Sequence, residues 1–170
     1  MKFPKFLLSA LLFAVTVVAA ADTLLVNGKL ESEQGTFPDS WMPSSTVTIT
    51  YNRSGAPSGG GVLTFKGDGY CRQYNYKLIE GEQYKISGWF KTIDFKATKA
   101  GFVVHNTGWS NEVGIMKFPE NSAWTYIEKT FTALSSPNGY YGVALYTKGM
   151  KGELQVAGLS LEALTEKGRK

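Results

Sequence analysis

The residues that could take part in chemistry are few, because the groups that most enzymes need are scarce. The sequence has one histidine, His105, and one cysteine, Cys71, so a zinc site built from several His and Cys ligands is excluded. Glycoside hydrolysis needs two carboxylates held at a defined separation, but the sequence shows no paired carboxylates within a predicted strand, and Glu80 and Glu82 flank Gly81 in a predicted turn. No G-x-S-x-G or H-E-x-x-H segment occurs. The pattern favours binding over catalysis.

Binding chemistry is available where an aromatic ring and polar groups share one face of a predicted strand. Within Tyr84–Lys91, alternation puts Trp89 and Lys85 on the same side. Gln73 and Asn75 share one side of the preceding strand. An aromatic plane can stack on the apolar face of a ring-shaped ligand while amides and charges bind its polar edge. We expect these four side chains to contact a ligand.

Four further side chains extend this candidate set. Trp109 lies in the segment HNTGWSNE, where a tryptophan on a surface loop either binds a ligand or anchors the loop. Tyr140 and Tyr146 fall on the less apolar side of their strand, and His105 ends another strand, where a structural role is the common alternative. An ordinary solvated sheet would have similar faces, so both interpretations stay open.

Residues 1–21 have the pattern of a secretory signal peptide. Lys2 and Lys5 precede an uncharged apolar run, and small residues follow at Ala19–Ala21. We therefore expect a secreted, extracellular or periplasmic protein whose mature chain begins near Asp22. The mature chain has no second apolar stretch long enough to cross a bilayer, so no membrane partner is predicted.

The net charge of +4 arises at the two ends of the chain. Lys2 and Lys5 leave with the signal peptide, and Lys167, Arg169 and Lys170 lie in a basic tail at 164–170. The domain between them, residues 22–163, is close to neutral. Nucleic-acid binding needs a clustered positive surface, so no nucleic-acid partner is predicted. A single cysteine also excludes an intramolecular disulfide, and we expect a half-buried, inert thiol.

Period-two alternation with turn residues between the segments predicts an all-β protein. Ten short strands without intervening helices are typical of a two-sheet antiparallel β-sandwich. A glycine-rich connection is predicted at Arg53–Gly61. The predicted strands are Leu24–Val26, Thr46–Tyr51, Val62–Phe65, Tyr70–Leu78, Tyr84–Lys91, Gly101–His105, Glu112–Lys117, Trp124–Thr132, Tyr141–Tyr146 and Leu154–Glu162.

Five segments in a fixed order carry a family resemblance. Leu24–Glu31 is similar to "LLxNGxFE", Pro38–Trp41 to "PxxW", and Gly81–Thr92 to "GxxYxxSxWxKT". Trp124–Thr132 is similar to "WxxxxxxFT", and Gly152–Glu162 to "GxxxIDDVSLE". Together they span nearly all of the mature chain, and they resemble the secreted carbohydrate-binding modules of families four, nine and twenty-two.

The resemblance implies a galactose-binding-like jelly roll that binds a polysaccharide or oligosaccharide without catalysing a reaction. It implies that Trp41 and Trp124 belong to the core. Many such modules carry an acidic residue in the last strand as a ligand of a structural calcium, but Ala157 and Gly158 stand at that place here. Calcium needs six to eight oxygen ligands, so we expect no metal and no other cofactor.

Two other functions stay open at this stage. An extracellular structural or adhesion domain could have the same fold without binding sugar. A small polysaccharide hydrolase or lyase is the other alternative, although the sequence shows no paired carboxylates within a strand.

Overall fold

The computed structural model describes residues 23–106 and 112–165. The predicted signal peptide, Trp109 and most of the basic tail lie outside this range. The described residues form ten strands and no helix. The strands are β1 (Met42–Pro43), β2 (Thr48–Asn52), β3 (Val62–Lys66), β4 (Gly69–Lys77), β5 (Gln83–Lys96), β6 (Lys99–Asn106), β7 (Glu112–Met116), β8 (Thr125–Thr132), β9 (Tyr140–Lys148) and β10 (Lys151–Ala163).

The strands make two five-stranded antiparallel sheets that pack face to face. Sheet A has the order β1-β4-β9-β6-β7, and sheet B has the order β2-β3-β10-β5-β8. Successive strands after β2 mostly change sheet, as in a jelly roll. The predicted two-sheet β-sandwich is confirmed.

The core lies between the two sheets and consists of the alternate residues that the sequence pattern selects. Sheet B supplies Tyr84, Ile86 and Phe90, and sheet A supplies Tyr141, Val143 and Leu145. Each of these six side chains is at most 2% exposed. The outer faces of the two sheets therefore point away from each other, and a ligand on one face cannot contact the other.

The N-terminal segment differs from the prediction. Leu24–Val26 is not a strand, although the Leu24 N–H donates to the Leu161 carbonyl at 2.6 Å. Asn27 has φ +52° and its side chain bonds the backbone of Glu31, so this asparagine turns the chain before a strand can form. The two-residue strand β1 was not predicted, because it is too short to show alternation.

Two further predictions about burial are wrong, and one is confirmed. Trp41 is 4% exposed and belongs to the core, as expected. Trp124 is half-buried and lies outside the core cluster, because it precedes β8, an edge strand of sheet B. Cys71 is fully buried rather than half-buried, and burial raises the pKa of its thiol to about 12.

A β-bulge in β4 decides which of its side chains reach the outer face of sheet A. The register between β4 and β9 shifts between Gln73 and Tyr76, and Asn75 has φ +71°. An extra residue at a bulge reverses the alternation beyond it. Before the bulge Cys71 and Gln73 point inward, whereas beyond it Tyr76 and Leu78 do.

Candidate functional site

The structure divides the predicted ligand-binding residues between the two sheets. Gln73, Asn75, His105, Tyr140 and Tyr146 belong to sheet A. Lys85 and Trp89 belong to β5 of sheet B, and Trp109 lies outside the described residues. The seven described residues therefore cannot form one site.

Gln73 points away from the outer face of sheet A. It is 3% exposed, its Nε2 donates to the Val26 carbonyl at 2.7 Å, and the Tyr76 hydroxyl donates to its Oε1. The side chain fastens the N-terminal segment to β4. Uninterrupted alternation put Gln73 and Asn75 on one polar face, but the bulge separates them, so the prediction for Gln73 is wrong.

The outer face of sheet A consists of aligned rows of side chains across β4, β9 and β6. Tyr70 is paired with Tyr146, which is paired with Gly101. In the next row Arg72 is paired with Ala144, which is paired with Val103 and then Ile115. Ala144 and Val103 are fully buried, whereas Tyr70, Arg72, Tyr74, Tyr146 and Ile115 are half-buried. These taller side chains make up the accessible part of the face.

Arg72 is stacked between two tyrosines on this face. Its Cζ lies 4.4 Å from the ring centroid of Tyr70 and 4.5 Å from that of Tyr74. Alternation places the three residues on the same side of β4, and the guanidinium is held by two cation–π contacts. Within the described parts of the chain, its buried Nε has no hydrogen-bond partner. The stack therefore places a positive charge between two aromatic rings.

Sequence reasoning missed Tyr70, Arg72 and Tyr74 as site residues. Their i, i+2, i+4 spacing was visible in the sequence, but the choice of face depended on the bulge that follows. With uninterrupted alternation, Tyr74 shared a face with Tyr76 and Leu78, which is the apolar one. The cation–π stack itself has no signal in the sequence.

His105 supports the site from below rather than reaching a ligand. It is fully buried, and its Nδ1 lies 2.8 Å from the carbonyl oxygen of Asn106. Its ring meets the ring of Tyr74 edge to face, with 6.0 Å between the centroids. The two rings meet at Gly142, which has no side chain to separate them. His105 therefore positions Tyr74.

Two of the predicted residues lie towards one end of strands β4 and β9 in the same sheet. Tyr140, at the start of β9, is 37% exposed, and the Lys77 ammonium lies 5.4 Å from its ring centroid. Asn75 is exposed at the bulge and lines a cavity of about 200 Å³ that Tyr74 and Met42 also line. Both are accessible from solvent.

Trp89 points outward from sheet B, as alternation predicted, and neighbouring residues cover part of it. Its ring centroid lies 5.4 Å from that of Tyr126, and the side chain is half-buried. A side-chain carbon at Gly158 would lie 3.3 Å from the Trp89 ring and 2.4 Å from the Ser58 hydroxyl. The glycine-rich connection that contains Ser58 therefore runs close to this tryptophan.

Lys85 is occupied by ion pairs on sheet B. Its Nζ lies 3.2 Å from Glu162 and 3.5 Å from Glu128. Burial acts to lower the pKa of Lys85, but the hydrogen bond and charge of Glu162 and the charge of Glu128 outweigh it and raise the pKa. The ammonium is thus held in place on the face opposite to the tyrosine stack.

No metal-binding cluster occurs among residues 23–106 and 112–165. No three His, Cys, Asp or Glu side chains in these ranges lie close enough together to hold an ion. Ala157 is fully buried and is paired with Trp89.

The described residues also include no helix that is long and apolar enough to cross a membrane.

Solved structures with a similar fold include several carbohydrate-binding modules. The second N-terminal cellulose-binding domain of a Cellulomonas fimi β-1,4-glucanase is 16% identical with a TM-score of 0.60, over 87% of this chain and 98% of that domain. A family 61 module in complex with β-1,4-galactotriose is 17% identical with a TM-score of 0.59, over 84% of this chain and 99% of that module. Modules of families 4 and 22 are also among the similar structures.

Some similar structures are parts of enzymes. An arabinose-bound α-L-arabinofuranosidase is 16% identical with a TM-score of 0.59, over 87% of this chain but only 27% of the enzyme. At these identities the likeness concerns the fold. No protein-family model matches the sequence, and no curated protein sequence is significantly similar to it.

Proposed function

We propose that this protein is a secreted, non-catalytic carbohydrate-binding protein that holds a polysaccharide or oligosaccharide on the outer face of sheet A. The binding surface comprises Tyr70, Arg72, Tyr74 and Tyr146, with Tyr140 and Asn75 towards one end of strands β9 and β4. We name these six residues the tyrosine face.

The observation that carries the proposal is the stack of Arg72 between Tyr70 and Tyr74. Tyr146 on the neighbouring strand is paired with Tyr70 and extends the same surface. Sugars bind where aromatic surface covers their C–H groups and fixed polar groups bind their hydroxyls. The three tyrosines supply rings and hydroxyls, and the guanidinium supplies donors whose position is fixed before a ligand arrives. A pre-ordered surface loses less conformational entropy on binding.

The surrounding structure supports a role in binding. Ala144 and Val103 form a closed, apolar floor beneath these side chains, and His105 fixes the orientation of Tyr74. The tyrosine face lies on an open sheet, where a long chain molecule can cross without its ends being enclosed. This supports a polymeric ligand.

The proposal includes export. Residues 1–21 would be removed as a signal peptide, and residues 22–163 would form the binding domain. Mass spectrometry of exported protein tests this part. Material that begins near Asp22 agrees with it, and exported material that still begins at Met1 contradicts it.

The experiment for binding is an array of plant, algal and bacterial polysaccharides, followed by calorimetry on the best ligand. Tyr70→Ala and Tyr146→Ala should each weaken binding roughly tenfold, the scale of one aromatic contact. Tyr146→Phe keeps the ring and should retain most of the affinity.

Tyr126→Ala is the matched control. Tyr126 is a tyrosine on the outer face of sheet B and is 45% exposed, so its removal should change affinity less than twofold. If no polysaccharide binds, or if Tyr126→Ala weakens binding as much as Tyr146→Ala, the proposal is wrong. Release of reducing sugar from the bound polysaccharide would show that the protein is an enzyme.

A further inference from the structure

A cavity lies at the edge of sheet A, beside the tyrosine face. The edge strand β1 is two residues long and pairs with Arg72 and Cys71, so β4 continues past the end of its neighbour. The cavity occupies the space beside this continuation and has a volume of about 200 Å³. Because a water molecule takes about 30 Å³ in the liquid, this is room for about six waters, or for one sugar ring.

The cavity is continuous with the tyrosine face through two side chains. Tyr74 lines the cavity and also stacks on Arg72, with 4.5 Å between its ring centroid and the Arg72 Cζ. Met42 lines the cavity from β1 and is paired with Arg72, so it projects from the same side of sheet A. A glycan on the tyrosine face can therefore place one unit in the cavity.

Two exposed apolar side chains contribute to the lining of the cavity. Val26 is 57% exposed and Met42 is 46% exposed. Apolar surface that stays in water costs free energy in proportion to its area. Together with the Tyr74 ring, these side chains form apolar walls that an apolar group of a ligand would cover.

The polar groups at the back of the cavity already bond one another. The Gln73 Nε2 donates to the Val26 carbonyl at 2.7 Å, and the Val26 N–H donates to the Tyr76 hydroxyl at 3.3 Å. The Tyr76 hydroxyl in turn donates to the Gln73 Oε1. Both ends of the Gln73 amide are thus engaged, and the Tyr76 hydroxyl both donates and accepts. This wall favours an apolar group of a ligand over a hydroxyl.

Two polar side chains in the lining are held in an uncommon backbone conformation. Ser40 has φ +67° and Asn75 has φ +71°, in the left-handed region that residues other than glycine rarely adopt. Residues held in such conformations cluster at ligand-binding and active sites. Both side chains are exposed, and within residues 23–106 and 112–165 neither has a hydrogen-bond partner. Their hydroxyl and amide are therefore available to the hydroxyls of a sugar.

We propose that this cavity is a subsite for one sugar unit that carries a methyl group, either as a 6-deoxy sugar or as a methyl ether. The methyl group lies against Val26, Met42 and the Tyr74 ring, and Ser40 and Asn75 bind the ring hydroxyls. The inference rests on the proposed function, because the unit is a branch or an end of the glycan that the tyrosine face holds. It adds a chemical feature by which the protein selects among glycans.

The test uses pairs of sugars that differ only at C6, added to the mature protein and followed by NMR. L-rhamnose is paired with L-mannose, L-fucose with L-galactose, and 6-O-methyl-D-galactose with D-galactose. The first two pairs test 6-deoxy sugars, and the third tests a methyl ether. At least one methyl-bearing sugar should bind roughly fourfold more tightly than its partner, the effect of burying one methyl-sized group.

The methionines provide the signal and its internal control. Three of them follow the predicted signal peptide, and their ε-methyl groups can be labelled with ¹³C. Met42 is 46% exposed and lines the cavity, whereas Met116 and Met150 are 2% and 9% exposed. The Met42 resonance should shift as the methyl-bearing sugar is added, and the other two should not. Binding that leaves Met42 unshifted would place the sugar elsewhere and overturn the inference.

Met42→Gln keeps the length of the side chain but makes its end polar. The fourfold preference should fall to less than twofold, as followed through ¹³C-labelled methyl groups of Val26. Ile93→Gln is the matched control, because Ile93 is 43% exposed but belongs to β5 of sheet B. It should keep the preference. Thermal unfolding should show that both variants fold, since exposed side chains contribute little to stability.

Three further results would overturn the inference. They are equal binding within all three pairs, a preference that survives in Met42→Gln, and an equal loss of preference in Ile93→Gln. If polysaccharides bind and Tyr146→Ala weakens them while the paired sugars bind equally, the proposed function stands and this inference fails. If no polysaccharide binds, the proposed function fails, and with it the claim that the methyl-bearing unit belongs to a longer glycan.

Discussion

The rings of Tyr74 and His105 meet edge to face directly over Gly142, with 6.0 Å between their centroids. The absence of a side chain at Gly142 lets a fully buried histidine on β6 touch a tyrosine on β4 across the intervening strand β9. The orientation of an accessible tyrosine is thereby set by a residue that solvent does not reach.

Gly142→Ala should therefore destabilise the fold. The new methyl carbon would lie 2.5 Å from the His105 ring and 2.9 Å from the Tyr74 ring, so both rings must move. Overpacking of this kind costs about 1–3 kcal/mol, measurable by urea unfolding. The double variant Gly142→Ala/His105→Ala should lose less unfolding free energy than the two single variants lose in total, because the second substitution makes room for the methyl group. A single variant as stable as the wild type would show that the rings are free to shift.

Trp89→Ala should lower stability rather than affinity. The ring is half-buried against Tyr126 and next to Gly158. Its loss should cost about 2–4 kcal/mol, near the lower end of the range for large aromatic deletions in cores. Thermal unfolding and calorimetry with the best polysaccharide measure the two effects. A tenfold loss of affinity at unchanged stability would assign Trp89 to a ligand site on sheet B.

The Lys85–Glu162 pair should contribute to stability in a pH-dependent way. Glu162→Gln should cost about 1 kcal/mol near neutral pH, at the upper end for pairs that solvent partly screens. The pKa of Lys85 is raised above its ordinary value of 10.5. The contribution is therefore complete below pH 10.5 and is lost as the pH rises through the folded-state pKa. Urea unfolding of the wild type and of Glu162→Gln should show that their difference in unfolding free energy becomes smaller as the pH rises above 10.5.

Glu128→Gln is the control for that pair. The Glu128 side chain is 56% exposed and its distance to Lys85 is 3.5 Å, against 15% and 3.2 Å for Glu162. Glu128→Gln should therefore lower the free energy of unfolding by less than Glu162→Gln does. An equal cost for the two variants would mean that burial does not strengthen the Glu162 contact.

Cys71 should resist thiol reagents in the folded protein. Burial raises the pKa of its thiol from 9.0 to about 12, and the thiolate is the reactive form. Alkylation at pH 8 should be slow in buffer and fast in urea, as followed by mass spectrometry. Because the folded-state pKa is the higher one, this group supports the fold fully below pH 9.0 and loses that contribution as the pH rises towards 12. Rapid alkylation without denaturant would contradict the burial of Cys71.

Alternation predicted the fold well because most strands are regular where they cross the core. The inward set Tyr84, Ile86 and Phe90 followed from the sequence, as did Tyr141, Val143 and Leu145. Strand ends were less well predicted. Strand β5 continues to Lys96, beyond its predicted end at Lys91, because pairing with β10 extends the ladder past the point where alternation is visible.

The candidate site was predicted only in part, because it depends on which sheet each strand joins. Trp89 and Tyr146 both face outward as expected, but alternation within a strand gives no information about sheet assignment. The bulge at Asn75 was the second obstacle, since an asparagine is also common in ordinary polar strands. As a result, Tyr74 was assigned to the core face but lies on the outer face, and Gln73 was assigned to the outer face but is buried.

The bulge in β4 also divides the strand into two parts with opposite sensitivity to substitution. Up to Tyr74 the odd-numbered positions belong to the interior, and from Tyr76 onward the even-numbered ones do. A saturation scan of β4 should therefore find that every second position is intolerant of substitution, and that this alternation shifts by one residue at Asn75. Deleting Asn75 would restore one continuous alternation, and either the tyrosines of the outer face or the interior residues would then point to the wrong side of the sheet.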